Sequence, residues 1–108
     1  MIIDGIEYVP KQIISNNLVI VRTYSAGVFF GQLEYRDGKE VHLSNARRLW
    51  YWSGAASLSQ LAIDGVTNPD KCKFPEAIPH IILTEAIEII NCTEKAIKSI
   101  NEVKIWKI

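Results

Sequence analysis

Cysteine is scarce in this chain, and the two present, Cys72 and Cys92, have a spacing that fits no zinc pattern and are too few for a disulfide framework. They read as reduced, half-buried thiols in a cytoplasmic protein. Charge of one sign is missing too. The 12 basic and 12 acidic residues cancel, whereas duplex DNA binders carry a basic excess, so duplex DNA is excluded as a general partner. No apolar run approaches the roughly 18 residues that a membrane span needs, and Asp4 interrupts the opening Met1-Ile2-Ile3 before any secretory leader could form. Histidine is limited to His42 and His80, neither with a partner at a metal-ligand spacing, so no metal or other cofactor is expected. A Gly-x-Ser-x-Gly elbow and a P-loop are both absent. Glu85 and Glu88 would face opposite ways on a strand, which argues against a paired acid and base. The chain reads as a binding protein, not an enzyme.

What is present is an ordinary globular composition, with 48% hydrophobic and 22% charged residues in 108 positions, enough for one domain spanning 1–108. Asp4-Gly5 between short apolar runs predicts a hairpin over residues 1–10, closed by Pro10. Leu18 to Tyr24, Val28 to Arg36 and Glu40 to Asn45 predict a three-strand meander over 18–45, with breaks at Ser25-Ala26-Gly27 and Asp37-Gly38. In the third strand Val41 and Leu43 face one side, and Glu40, His42 and Ser44 the other. Gly31 would let the second strand bend.

The second half, 46–108, is mixed. Ser57-Leu58-Ser59-Gln60 carries a capping-box pattern, predicting a helix from about Leu58 to Asp64 stopped at Gly65. Pro69, Pro75 and Pro79 mark an irregular loop over Thr67 to Pro79. Ile81 to Asn91 has the β-branched content of a strand, clearest over Ala86 to Ile90. Thr93 would cap a second helix buried through Ala96, Ile97 and Ile100, and Val103 to Trp106 would end the chain as a short strand. The expected class is α+β: a β-rich small curled sheet, or an SH3- or Sm-like barrel, decorated by two short helices.

One segment stands out chemically. Arg47 and Arg48 precede Trp50, Tyr51 and Trp52, and then come Ser53 and Ser57 in a small, hydroxyl-rich stretch opening a helix. Guanidinium forks match phosphate geometry, and indole faces stack on bases. Free N–H groups near Ser57 would favour an anion. Arg22 and Tyr24 end a strand and could approach the same place if the sheet curls. The candidate ligand site is therefore Arg22, Tyr24, Arg47, Arg48, Trp50, Trp52, Ser53 and Ser57. The competing reading packs Trp50 and Trp52 on one strand face against the core and leaves the arginines solvated or paired with Glu34, Asp37 or Glu40.

The string from Val21 to Val28, with Arg22-Thr23-Tyr24-Ser25-Ala26-Gly27, and that from Ala46 to Ala62 resemble a family of small phage and prophage proteins of unknown function. The resemblance runs from about Leu18 to the C-terminus and includes Cys72-Lys73-Phe74-Pro75 and Cys92-Thr93-Glu94. It assigns no catalytic or binding residue. A phage setting implies a host-cytoplasmic protein and a class-level similarity to the small oligomeric sponges that sequester cyclic nucleotides or ADP-ribose-derived immune signals. The expectation is such a sponge: a homo-oligomer, dimer or higher, binding a nucleotide-derived small molecule without turnover. The alternatives are a protein-binding inhibitor or phage assembly module, and a single-stranded nucleic-acid binder.

Overall fold

The computed structural model describes residues 17–108; the expected hairpin over residues 1–10 lies outside them. Strand β1, Leu18–Thr23, is the most apolar stretch of the meander, and it sits where such a run must sit, with sheet neighbours on both sides. It pairs antiparallel with β2, Val28–Asp37, which pairs with β3, Glu40–Arg48. Two further strands, β4 at Ile78–Leu83 and β5 at Ala86–Asn91, add at opposite sides of that meander. The sheet order is β4-β3-β2-β1-β5. Because only Thr84 and Glu85 separate the two edge strands, the sheet has to curl until its edges converge at that corner. The α+β curled sheet expected from the sequence is the architecture found.

Curling places apolar side chains on both faces. Val19, Val21, Phe29, Val41, Leu43, Ala46, Leu83 and Ala86 fill the interior of the curl. On the other face Ile20, Phe30 and Leu49 meet α1, Leu58–Asp64, and α2, Glu94–Asn101, through Leu61, Ala62, Ala96 and Ile100. The alternation of strand side chains explains the split: Val19 and Val21 face inward while Ile20 faces the helices, and Phe29 and Phe30 part in the same way.

The bend in β2 and β3 is a bulge. Gln32 faces Ser44, yet Phe30 faces Arg47, so the register slips by one residue. Asn45 takes a left-handed φ of 49° there, which asparagine tolerates better than most residues. A Cβ on Gly31 would stand 3.0 Å from the Ala46 Cα and 3.1 Å from the Ser44 carbonyl, so a larger residue would push the two strands apart by a few tenths of an ångström.

Both helices begin at the expected caps. Ser57 Oγ accepts from the Gln60 N–H, and Thr93 Oγ1 accepts from the Ala96 N–H. The Gln60 side chain returns a bond to the Ala56 N–H. The structure corrects the sequence reading in two places. The stretch ending at Pro79 is not all loop: residues Ile78–Leu83 form β4, where the missing N–H of Pro79 is tolerated on an edge strand. The tail from Val103 is not a strand, since it makes a single parallel bridge, Phe74 with Ile105. Among the described residues no helix is long and apolar enough to cross a membrane.

Candidate functional site

The alternation that sorts the core also separates the two arginines. Arg47 lies opposite Phe30 and follows it to the helical side, while Arg48 lies opposite Phe29 and turns to the other. They cannot line one cavity as a pair.

Arg47 is only 7% exposed. Its Nε donates to the Pro75 carbonyl at 3.0 Å and its Nη1 to the Ile100 carbonyl at 2.9 Å. Its Nη2 donates to the carbonyls of Phe74, Val103 and Lys104 at 3.1, 2.7 and 3.0 Å. The guanidinium also rests over the Phe74 ring at 5.4 Å. Burial pulls its pKa below the usual arginine value, partly offset by the neighbouring Cys72 thiol. Arg47 is thus a structural clamp on backbone carbonyls, which corrects its expected place in an open ligand site.

Arg48 stays at the surface. Its guanidinium lies over the Phe29 ring at 4.5 Å, and Nη1 donates to the Ala26 carbonyl at 2.8 Å. It shares a groove of about 370 Å³ with Trp50, Trp52 and the Ser25–Val28 turn, at the small end of ligand-pocket volumes. The two expected segments therefore do meet, through Arg48 and the turn that follows Tyr24.

Trp50 is 59% exposed, and Trp52 is half-buried against the helical core. They do not share a strand face, because Leu49 onward leaves the sheet. That segment is held instead by a bridge in which Lys73 N–H donates to the Tyr51 carbonyl at 2.7 Å.

The bridge brings in residues that the sequence did not single out. Trp106 stacks on Trp50 with ring centroids 5.4 Å apart and planes 10° from parallel. The Lys73 Nζ lies 5.3 Å from the Trp50 ring, 5.9 Å from Tyr51 and 5.6 Å from Trp106. Tyr51 is 50% exposed and Trp106 38%. No carboxylate among the described residues is in ion-pair range of Lys73. Lys73 and Trp106 lie 23 and 56 residues beyond Trp50, so no local motif could have joined them.

The remaining expected residues stand apart or are engaged. Arg22 pairs with Glu88 at 3.0 Å on the exposed side of β1, and Tyr24 is 78% exposed beside Lys39, Glu85 and Ile87. Ser53 Oγ accepts from Asn68 Nδ2 at 3.2 Å, and the Ser57 hydroxyl is taken by the helix cap.

Away from this region, the pairing of β3 with β4 brings both histidines together. Their rings are 5.6 Å apart; Tyr35 lies 4.9 Å from His42, whose Nε2 is 2.7 Å from Glu40 Oε2. Among the described residues no group of three or more His, Cys, Asp and Glu side chains is placed to hold a metal ion.

No curated protein and no solved structure matches the chain. A family match covers residues 16–100, which includes Arg48, Trp50 and Lys73 and stops short of Trp106. By that match the chain belongs to the DUF6948 family, a domain of unknown function.

Proposed function

We propose that this protein binds a phosphorylated, nucleotide-derived small molecule and holds it without turnover. Trp50 is the stacking wall, and Lys73 over its ring and Arg48 in the groove it lines are the cations. The observation that carries this reading is the Lys73 ammonium. It rests against three solvent-facing rings with no carboxylate of the described residues in ion-pair range, so a cation suited to phosphate and a flat apolar surface stand together. Sequestration of a cyclic nucleotide immune signal by a phage-encoded sponge is the use this reading favours. The phage setting rests on the resemblance carried by the strings at Arg22–Val28 and Ala46–Ala62. A homo-oligomer suits the shallow Arg48 groove, which a second copy would deepen.

The test is a titration by tryptophan fluorescence and thermal shift with cyclic dinucleotides, cyclic trinucleotides and ADP-ribose isomers. Binding should raise the Tm, and intact ligand should be recovered after denaturation. Lys73→Ala and Trp50→Ala should each weaken binding by roughly tenfold or more, as expected for loss of one charge-assisted contact or one stacked base. Arg22→Ala, in the exposed Glu88 pair, should leave it within about twofold. A panel with no Tm shift, or a Trp50→Ala protein that binds like wild type, refutes the proposal.

One observation favours a second reading, a protein interface. Tyr51, which shares Lys73 with the indole pair, is exposed, as are Ile105 and Ile108, the near neighbours of Trp106 in the chain. That reading expects a stable complex with a protein partner that is lost in Trp50→Ala and kept in Lys73→Ala, with no nucleotide binding.

A further inference from the structure

The four side chains of the Lys73 cluster come from three segments that share no sheet: Trp50 and Tyr51 follow β3, Lys73 precedes Phe74, and Trp106 lies in the tail. Something has to hold the last two segments in place. Sheet pairing does little of it, because the bridges Tyr51 with Lys73 and Phe74 with Ile105 are isolated.

The Arg47 guanidinium reaches both segments at once. It binds the carbonyls of Phe74 and Pro75 directly after Lys73, and those of Val103 and Lys104, which precede Ile105 and Trp106. It also binds the Ile100 carbonyl in the last turn of α2, which accepts from the Val103 N–H at 3.2 Å as well. The Phe74 carbonyl accepts twice, from Arg47 Nη2 and from the Trp106 N–H at 3.0 Å. One oxygen therefore ties the guanidinium to the backbone of the stacking tryptophan.

We propose that Arg47 is the positioning residue of this site: by gathering five carbonyls it sets Lys73 and Trp106 against Trp50. The inference rests on the ligand reading for its effect on affinity. The arrangement of the rings, however, can be read without any ligand. Lysine is a poor replacement, because its ammonium ends one bond short of Nη2, the atom that reaches Phe74, Val103 and Lys104, and it offers fewer donors than there are carbonyls to hold.

The experiment compares Arg47→Lys with Val103→Ala, a buried change nearby that weakens packing but leaves the guanidinium in place. The readout is the exciton couplet of the stacked indoles in circular dichroism, identified by its loss in Trp50→Phe. Arg47→Lys, folded at low temperature, should lose most of the couplet, and its affinity for the tightest nucleotide of the panel should fall about tenfold. Val103→Ala should lower the Tm yet keep couplet and affinity. A folded Arg47→Lys protein with a wild-type couplet overturns the inference. Loss of the couplet with no nucleotide binding by wild type leaves the positioning role intact and sinks only the ligand reading.

If Arg47→Lys does not fold, hydrogen exchange on the unsubstituted protein decides. The Arg47 Nε–H and the Trp106 N–H should open together, with protection factors within roughly threefold. A Trp106 amide that exchanges freely while the Arg47 Nε–H stays protected overturns the inference equally.

Discussion

Gly54 follows the aromatic segment directly, and replacing it with alanine should be among the costlier changes in the chain. Its φ is +98°, a region that side chains bearing a Cβ rarely adopt. Holding alanine there costs about 1–3 kcal/mol. The added methyl has nowhere to go. It would stand 2.4 Å from Thr67 Oγ1, 2.5 Å from the Thr67 nitrogen and 2.8 Å from the Asn68 nitrogen. Two of those three atoms are backbone, so relief requires the Thr67–Asn68 loop to move as a piece. Its movement would stretch the Asn68 Nδ2 bond to Ser53 Oγ and the Thr67 Oγ1 bond to the Gly54 carbonyl. Each such bond contributes about 0.5–1.5 kcal/mol. The expected total for Gly54→Ala, strain plus two such bonds, is roughly 2–6 kcal/mol. Gly38 supplies the control, because its φ is +59° and a Cβ there meets nothing within 4 Å. Gly38→Ala should cost only about 1 kcal/mol of backbone strain. Urea unfolding of both variants measures the difference. With a slope of about 1.5 kcal/mol per molar, Gly54→Ala should lower the midpoint by about 1.3–4 M and Gly38→Ala by less than about 1 M. Equal midpoints for the two variants would refute the steric reasoning, because only the close approach to Thr67 and Asn68 separates them.

Burial pushes the Cys92 thiol up to about 12 from an ordinary value of 9.0. The folded protein then keeps this proton while the unfolded chain releases it. The stabilisation is complete below pH 9 and is lost as pH rises from there through about 12, so urea midpoints measured up that range should fall less steeply in Cys92→Ala. The Arg22–Glu88 pair is exposed on both sides, so Glu88→Gln should change stability by no more than about 0.5 kcal/mol, less still at high salt, by the same unfolding assay.

Much of the fold was legible because local rules and tertiary packing agree. The capping pattern at Ser57 and Gln60 marks a helix start wherever it is packed, and α1 runs over Leu58–Asp64 as expected. The period of two in Glu40 to Ser44 foretold which side chains of β3 are buried. The segment from Ile81 to Asn91 was harder. Its apolar content suits a strand or a buried helix, and only the edge positions left by the meander decide that it forms two strands.

The site was legible in part. Arg48, Trp50 and Trp52 do meet the Ser25–Val28 turn. The pairing of Arg47 with Arg48 was avoidable, since neighbours on a strand point to opposite faces. Ser57 carried two roles on paper, and the helix cap takes its hydroxyl. Lys73 and Trp106 left no signal near Trp50, because isolated bridges and a clamp on main-chain carbonyls involve no side-chain pattern.

Sequence alone determined the three-strand meander, the two helix starts, their apolar faces and the neutral, mixed-charge composition, since propensity, capping and alternation act over a few residues at a time. Tertiary structure alone decided which arginine is interior and which rings stand in solvent. Those outcomes depend on carbonyl groups and ring faces brought together from residues 47, 74, 100 and 103–106. Main-chain oxygens are the same in every residue, so the order of side chains cannot announce where they will converge.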